Sequence, residues 1–242
     1  ITKMSHLHFT STEAYRKRVI QLGEQPERVF NVGALGVENV MKNDFMTKEE
    51  IEQSLKFQLT NKCFLCTYHP VTLSNMSSEV QVLNLLEALD NYKDYHIIFT
   101  YSNSDTNSQI IIKRIQEYVD KNTDRCMFIP SLGQRCYFSV LKYMTAILGN
   151  SSSGIIEVPS FGIPTLNIGD RQKGRIAADS VINCGYSAKE IKNGLAKVVN
   201  FSNPSNFSNP YYKEGTCQVI LNTIKTYPLE NLIQKHFYDI YQ

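Results

Sequence analysis

The sequence predicts a doubly wound α/β fold with a parallel sheet, accompanied by the remnant of a second α/β domain. Three observations lead there. Short apolar runs alternate with amphipathic stretches along most of the chain, the rhythm of βαβ units. Six of those runs fall between residues 47 and about 225, enough for one complete sheet. Small polar loops follow several of them, where an open parallel sheet binds its ligands.

The elements follow in order. Candidate strands are His6–Thr10, Arg28–Val32, Cys63–Tyr68, His96–Tyr101, Cys126–Ile129, Ala146–Gly149, Thr165–Ile168 and Val181–Asn183. Thr47 with Glu50 forms a capping box ahead of Ile51 and Leu55, and Ser187 with Glu190 forms another ahead of Ile191, Leu195 and Val198. Apolar periodicity predicts further helices over Ser78–Leu89, Ser108–Val119, Tyr137–Met144 and Gly154–Phe161. The Asn- and Ser-rich stretch Asn200–Pro210 reads as a loop, followed by two closing helices, Thr216–Lys225 and Leu229–Tyr241. The best boundary falls near residues 43–47. Residues 1–43 hold too little for an independent α/β domain and read as the last pieces of one. Residues 44–225 form the doubly wound unit, and 226–242 a terminal helix that packs back toward the leading domain.

Composition narrows the function. The 242 residues carry 25 basic and 23 acidic side chains, a formal charge of +2, so bulk electrostatics give no reason to expect nucleic-acid binding. Apolar runs such as Ile110–Ile112 fall far short of the roughly 20 residues that span a bilayer. The stretch up to Thr12 lacks the charged head and apolar run of a signal peptide, and its start at Ile1 reads as a piece of a longer chain. Six scattered cysteines suit reduced thiols in a cytoplasmic protein. Cys63 and Cys66 have the spacing of a redox or zinc half-site, but no second pair accompanies them. On a strand they point to opposite faces, which favours core thiols. No cluster of metal ligands can be assembled, and no cofactor is expected.

The most informative segment runs from Gly149 to Pro164. A strand ends, the loop Ser151-Ser152-Ser153 follows, and a helix begins near Gly154. Small residues let a ligand approach the backbone, and free N–H groups of a first helical turn suit a phosphate. Glu157, one turn later, is a poor phosphate ligand but suits a ribose diol. The bland alternative is a Ser N-cap followed by a first-turn acid. The loop is neither a Walker A motif nor a three-glycine dinucleotide fingerprint. After the next strand come Arg171, Lys173 and Arg175, three cations in five residues, suited to a diphosphate or simply to solvent. His69, in Thr67-Tyr-His-Pro70, closes another strand and is a candidate acid or phosphate partner. Asn103 and the loop Pro130-Ser-Leu132-Gly133 occupy the remaining strand ends.

Together these segments resemble the hydrolysing UDP-N-acetylglucosamine 2-epimerases of sialic acid synthesis. The resemblance is carried by GNSSSGIIEVPSFGIPTLNIGDRQKGR (149–175), SHLHFTSTEAYRKRVIQLGE (5–24), RVFNVGALGVENV (28–40) and TYHP (67–70). It implies the two-domain architecture of type B glycosyltransferases, with UDP held by the Rossmann-like carboxyl-terminal domain. By the same resemblance Ser151 and Ser152 bind the diphosphate, Glu157 the ribose, Arg171 the diphosphate side, Leu132 the uracil through its backbone, Asn103 the nucleotide, and His69 the sugar diphosphate. The implied reaction loses UDP across C1 and C2 to give a glycal, then adds water to release N-acetylmannosamine. Its acid and base carboxylates lie in the amino-terminal domain, upstream of the matched residues, so this chain is expected to bind UDP with little turnover. The resemblance also implies a homo-oligomeric parent and no metal. An epimerase acting on UDP-N,N'-diacetylbacillosamine, a glycosyltransferase of the same fold and a non-catalytic UDP-binding module are the rival readings.

Overall fold

A computed structural model describes residues 1–71, 75–101, 108–202, 208–230 and 232–240. The chain packs as two compact units, residues 1–42 with 209–242, and residues 43–208. Among the described residues no helix is long and apolar enough to cross a membrane.

The larger unit is built on six parallel strands, β3 (Cys63–Thr67), β4 (His96–Thr100), β5 (Cys126–Ile129), β6 (Ala146–Gly149), β7 (Thr165–Ile168) and β8 (Val181–Cys184). They lie in the order β5-β4-β3-β6-β7-β8. The chain runs outward from β3 to β5, returns to lay β6 beside β3, and then runs outward the other way. β3 and β6 therefore flank the switch point, where a parallel sheet opens a crevice at its carboxyl edge. Phe64 pairs with Ile97 on one side and Ala146 on the other, which fixes the register at the centre.

β3 is buried on both faces, so it reads as an apolar run without alternation. Phe64 and Cys66 point into a core with Leu85 and Leu89 of α4 (Ser78–Leu89), Ile111 and Ile115 of α5 (Ser108–Asp120), and Leu195 and Val198 of α8 (Ala188–Val199). Cys63 and Leu65 alternate to the other face, where α3 (Lys48–Leu55) packs against α6 (Gly133–Leu141). Both capping boxes form. The Thr47 N–H donates to Glu50 Oε2 at 2.8 Å while Thr47 Oγ1 accepts from the Glu50 N–H, and Ser187 and Glu190 do the same for α8.

The smaller unit holds a two-stranded parallel pair, β1 (His8–Thr10) and β2 (Val29–Asn31), with α1 (Glu13–Gln21), α2 (Leu35–Met41) and α9 (Thr216–Thr226). Glu38 on α2 accepts a hydrogen bond from the Cys217 N–H, so a carboxylate from another element satisfies the start of α9. Residues 209–225 thus pack with the leading segment, whereas the sequence reading placed them with the nucleotide-binding unit.

Three expected helices differ; the one expected over Tyr137–Met144 starts and ends earlier, as α6 (Gly133–Leu141). Gly154–Phe161 splits into one α turn, α7 (Ser153–Ile156), and a 3-10 turn, Val158–Phe161. Pro159 supplies no N–H donor, and Gly162 ends the run with φ of +68°. The expected helix over Leu229–Tyr241 is absent from the described residues, which form neither helix nor strand there. The tail instead binds the leading segment. The Tyr238 N–H donates to the Gly23 carbonyl, the Phe237 ring occupies the space above Gly23, and Lys235 meets the buried Glu24 carboxylate at 2.7 Å.

Candidate functional site

A cavity of about 380 Å³ opens at the switch point. Its walls come from strand ends: Thr67 and His69 after β3, Thr100 and Tyr101 after β4, residues 130–134 after β5, and Ser151 and Ser153 after β6. Among the sequence-expected residues, His69, Leu132 and Ser151 line it. Ser152, Glu157 and Arg171 stand off the lining, and Asn103 lies outside the described residues.

Gly149 makes the junction between β3 and β6 possible. Its φ is +121°, and a Cβ there would lie 2.0 Å from the Thr67 carbonyl oxygen. Only glycine lets the two backbones come this close. The next residue, Asn150, is fully buried, and its side-chain amide pairs with the backbone of His69. Asn150 Oδ1 accepts from the His69 N–H at 2.7 Å, and Nδ2 donates to the His69 carbonyl at 2.8 Å. His69 is itself 5% exposed, so this pair fixes the β3 end as a further stretch of strand would.

The far wall carries a second polar group. The half-buried Tyr137 on α6 shares a hydrogen bond of 2.7 Å with Ser153 Oγ, and Ser153 in turn bonds to the Glu157 side chain. Burial pushes the Tyr137 hydroxyl up, so it stays neutral and available as donor or acceptor. Burial also raises the Glu157 carboxyl above its usual range, opposed by the Ser153 hydrogen bond and the positive charge of Arg175. A carboxylate held at this cost gains from a ligand that donates hydrogen bonds to it, as a vicinal diol does. α7 is a single turn, so its dipole adds little, and anion binding here falls to hydroxyls and backbone N–H groups.

The basic loop divides its work. Arg171 Nη1 donates to the Asn150 carbonyl at 3.1 Å, while Lys173 and Arg175 line a separate cavity of about 240 Å³ with Asp170, Gln172 and Cys184. Cys63 and Cys66 are free and buried, and burial raises both thiols, which fits core packing on opposite faces. Sequence reasoning missed Asn150 and Tyr137 as site residues. Tyr137 carried a usable signal, since it lies in the first turns of the helix that follows the Pro130–Gly133 loop. Asn150 carried none, because its partner is 81 residues away.

The chain is 42% identical over 250 residues to the polysialic acid biosynthesis protein P7 of Escherichia coli, covering 99% of this chain and 62% of that protein. It is 43% identical over 183 residues to the GDP/UDP-N,N'-diacetylbacillosamine 2-epimerase (hydrolyzing) of Campylobacter jejuni, covering 76% of this chain and 48% of that protein. The chain thus spans about half to three-fifths of the length of these relatives. Its fold matches the crystal structure of UDP-GlcNAc 2-epimerase from Neisseria meningitidis bound to UDP-GlcNAc, with a TM-score of 0.67 at 19% identity over 93% of this chain and 62% of that one. A family model described as UDP-N-acetylglucosamine 2-epimerase matches residues 1–225, which include all of the larger unit, part of the smaller one and every strand end around the cavity, and the chain belongs to that family.

Proposed function

We propose that the switch-point cavity binds the UDP moiety of a UDP-N-acetylhexosamine, and that the whole protein is a hydrolysing 2-epimerase converting UDP-GlcNAc and water to N-acetylmannosamine and UDP. The observation that carries this reading is the convergence of His69, Leu132, Ser151 and Ser153 on one cavity at the sheet's switch point. Ser151 and Ser152 hold the diphosphate with Arg171 behind them, Glu157 accepts from the ribose hydroxyls, and Leu132 offers backbone groups to the uracil. His69 stands at the diphosphate, where a hydrogen bond to the departing oxygen assists loss of UDP.

The reaction removes the C2 proton and breaks the C1–O bond to UDP, leaving a glycal. Water then adds across the double bond, hydroxyl to C1 and proton to C2 from the opposite face. Each proton transfer needs an acid or base, and among the described residues the cavity lining contains no carboxylate. This chain is therefore read as the UDP-binding part, with the acid and base supplied by other parts of the protein. The reading takes the enzyme as cytoplasmic and homo-oligomeric, and places it in sialic acid synthesis, in keeping on this last point with the name of the Escherichia coli relative.

A second reading has its own support. The 43% identical Campylobacter relative is named for GDP/UDP-N,N'-diacetylbacillosamine, a name that differs from UDP-GlcNAc in the sugar and admits GDP beside UDP as the nucleotide. Calorimetric titration with UDP, UMP and ADP tests the shared part, with UDP expected to bind best. No UDP binding by folded chain sinks the nucleotide assignment. Product analysis with each UDP-sugar, using the whole protein, separates the two substrates.

A further inference from the structure

Asn150 ties together strand ends around the site. It makes five hydrogen bonds to two strand-end segments, those after β3 and β7. Its N–H donates to Thr67, its side chain pairs with both backbone groups of His69, and its carbonyl accepts from Arg171 Nη1 and from Gln172 Nε2 at 2.9 Å. The two donors to that carbonyl differ. Arg171 is partly exposed, whereas Gln172 is 5% exposed, and its Oε1 has no protein partner. Burying an amide with one end unsatisfied is unfavourable, so the bond to Asn150 is what the Gln172 side chain provides in return.

We propose that Asn150 is a positioning residue that couples His69 to the anion-binding side of the cavity, with Gln172 as its permanent support and Arg171 as its exchangeable one. This inference rests on the nucleotide-sugar reading of the cavity. When a diphosphate occupies the Ser151 side, Arg171 can turn toward it while Gln172 keeps the Asn150 carbonyl in place. Asn150 then keeps His69 fixed through the same step. An amide is the side chain that fits, because the His69 backbone presents one donor and one acceptor; aspartate lacks the donor and leucine lacks both.

Two variants of this chain test the coupling, Asn150→Ala and Gln172→Leu. Gln172→Leu removes a buried, half-satisfied amide, so its thermal midpoint is expected to stay at or above that of the parent. Heteronuclear NMR follows the His69 amide and imidazole, free and with added UDP. In the parent both groups respond to UDP. In both variants the His69 amide is expected to exchange at least ten times faster, and its response to UDP to fall by more than half, while UDP affinity changes less than fivefold. Unchanged His69 exchange and an unchanged UDP response in Gln172→Leu overturn the coupling, and that variant decides should Asn150→Ala fail to fold. If the parent binds no UDP, the nucleotide reading fails on its own, and His69 exchange in the free variants still decides whether Asn150 and Gln172 position it.

Discussion

Replacing Gly149 by alanine tests the junction on which the cavity depends. The added Cβ would lie 2.0 Å from the Thr67 oxygen and 2.7 Å from its carbonyl carbon. Thr67 cannot retreat, because it pairs with Thr100 of β4 on one side and with Gly149 itself on the other. Two costs combine. An L-residue at this positive φ costs about 1–3 kcal/mol. Relieving the clash strains the bond from Asn150 N to Thr67 O and draws the Asn150 amide away from His69, at about 1 kcal/mol for each hydrogen bond lost. A destabilisation of about 3–5 kcal/mol is expected. Gly174→Ala is the control: φ is +82°, but nothing lies within 4 Å, so only the conformational cost of about 1–2 kcal/mol applies. Urea unfolding followed by circular dichroism measures both. With a slope of about 2–3 kcal/mol per molar, Gly149→Ala lowers the midpoint by more than about 1 M. Equal losses in the two variants would refute the argument that contact with Thr67, and not the dihedral angle alone, demands glycine here.

Further outcomes follow from the charges and thiols. Glu157→Gln is expected to weaken UDP binding about tenfold, the value of a lost charged hydrogen bond. The same change should raise the melting temperature at neutral pH. Burial raises the folded pKa of Glu157, so its ionisation opposes folding above the unfolded value, and the gain should vanish on acidification below that value. Unchanged UDP affinity removes Glu157 from the site. Glu24 is the opposite case. Lys235, Lys3 and His8 surround it and, against the effect of burial, hold its carboxyl down to about 2. It contributes about 2 kcal/mol at neutral pH, fully present above the unfolded value and lost as pH falls toward 2. Glu24→Gln should therefore flatten the acid limb of a stability–pH curve, and a parallel curve rejects this. An aromatic disulfide reagent should label the exposed Cys217 first and reach Cys63 and Cys66 only on unfolding. Early labelling of that pair would revive the redox reading.

The central sheet was legible because burial on both faces leaves little freedom in composition. Cys63–Thr67 and Ala146–Gly149 are apolar runs with small or polar residues at their carboxyl ends, and the structure makes them the two central strands. Both capping boxes were legible for a local reason, since donor and acceptor lie three residues apart. The tail was misread because Leu229, Ile233, Phe237 and Ile240 recur at helical spacing. The non-helical form wins through partners more than 200 residues away, Gly23 for Phe237 and Glu24 with the carbonyls of the opening residues for Lys235. Periodicity records what a segment can bury against itself. It does not record a glycine elsewhere that leaves room for a ring.

Asn150 shows the same limit at the site. In sequence it is one polar residue in a small polar loop, indistinguishable from the serines that follow. In the fold it is fully buried, and its side chain does the work of a backbone peptide for a strand that has ended. The glycine before it permits the close approach, and the amide restores the hydrogen bonds that the departing chain gives up. A loop built this way has two separable layers. Ser151 and Ser153 face the cavity and can change with the ligand, whereas Gly149 and Asn150 face the sheet and can change only with the junction. Relatives that act on different UDP-sugars can therefore vary what lines the cavity while retaining the Gly-Asn pair, and a functional relative lacking that pair would need another donor and acceptor for the residue in the His69 position.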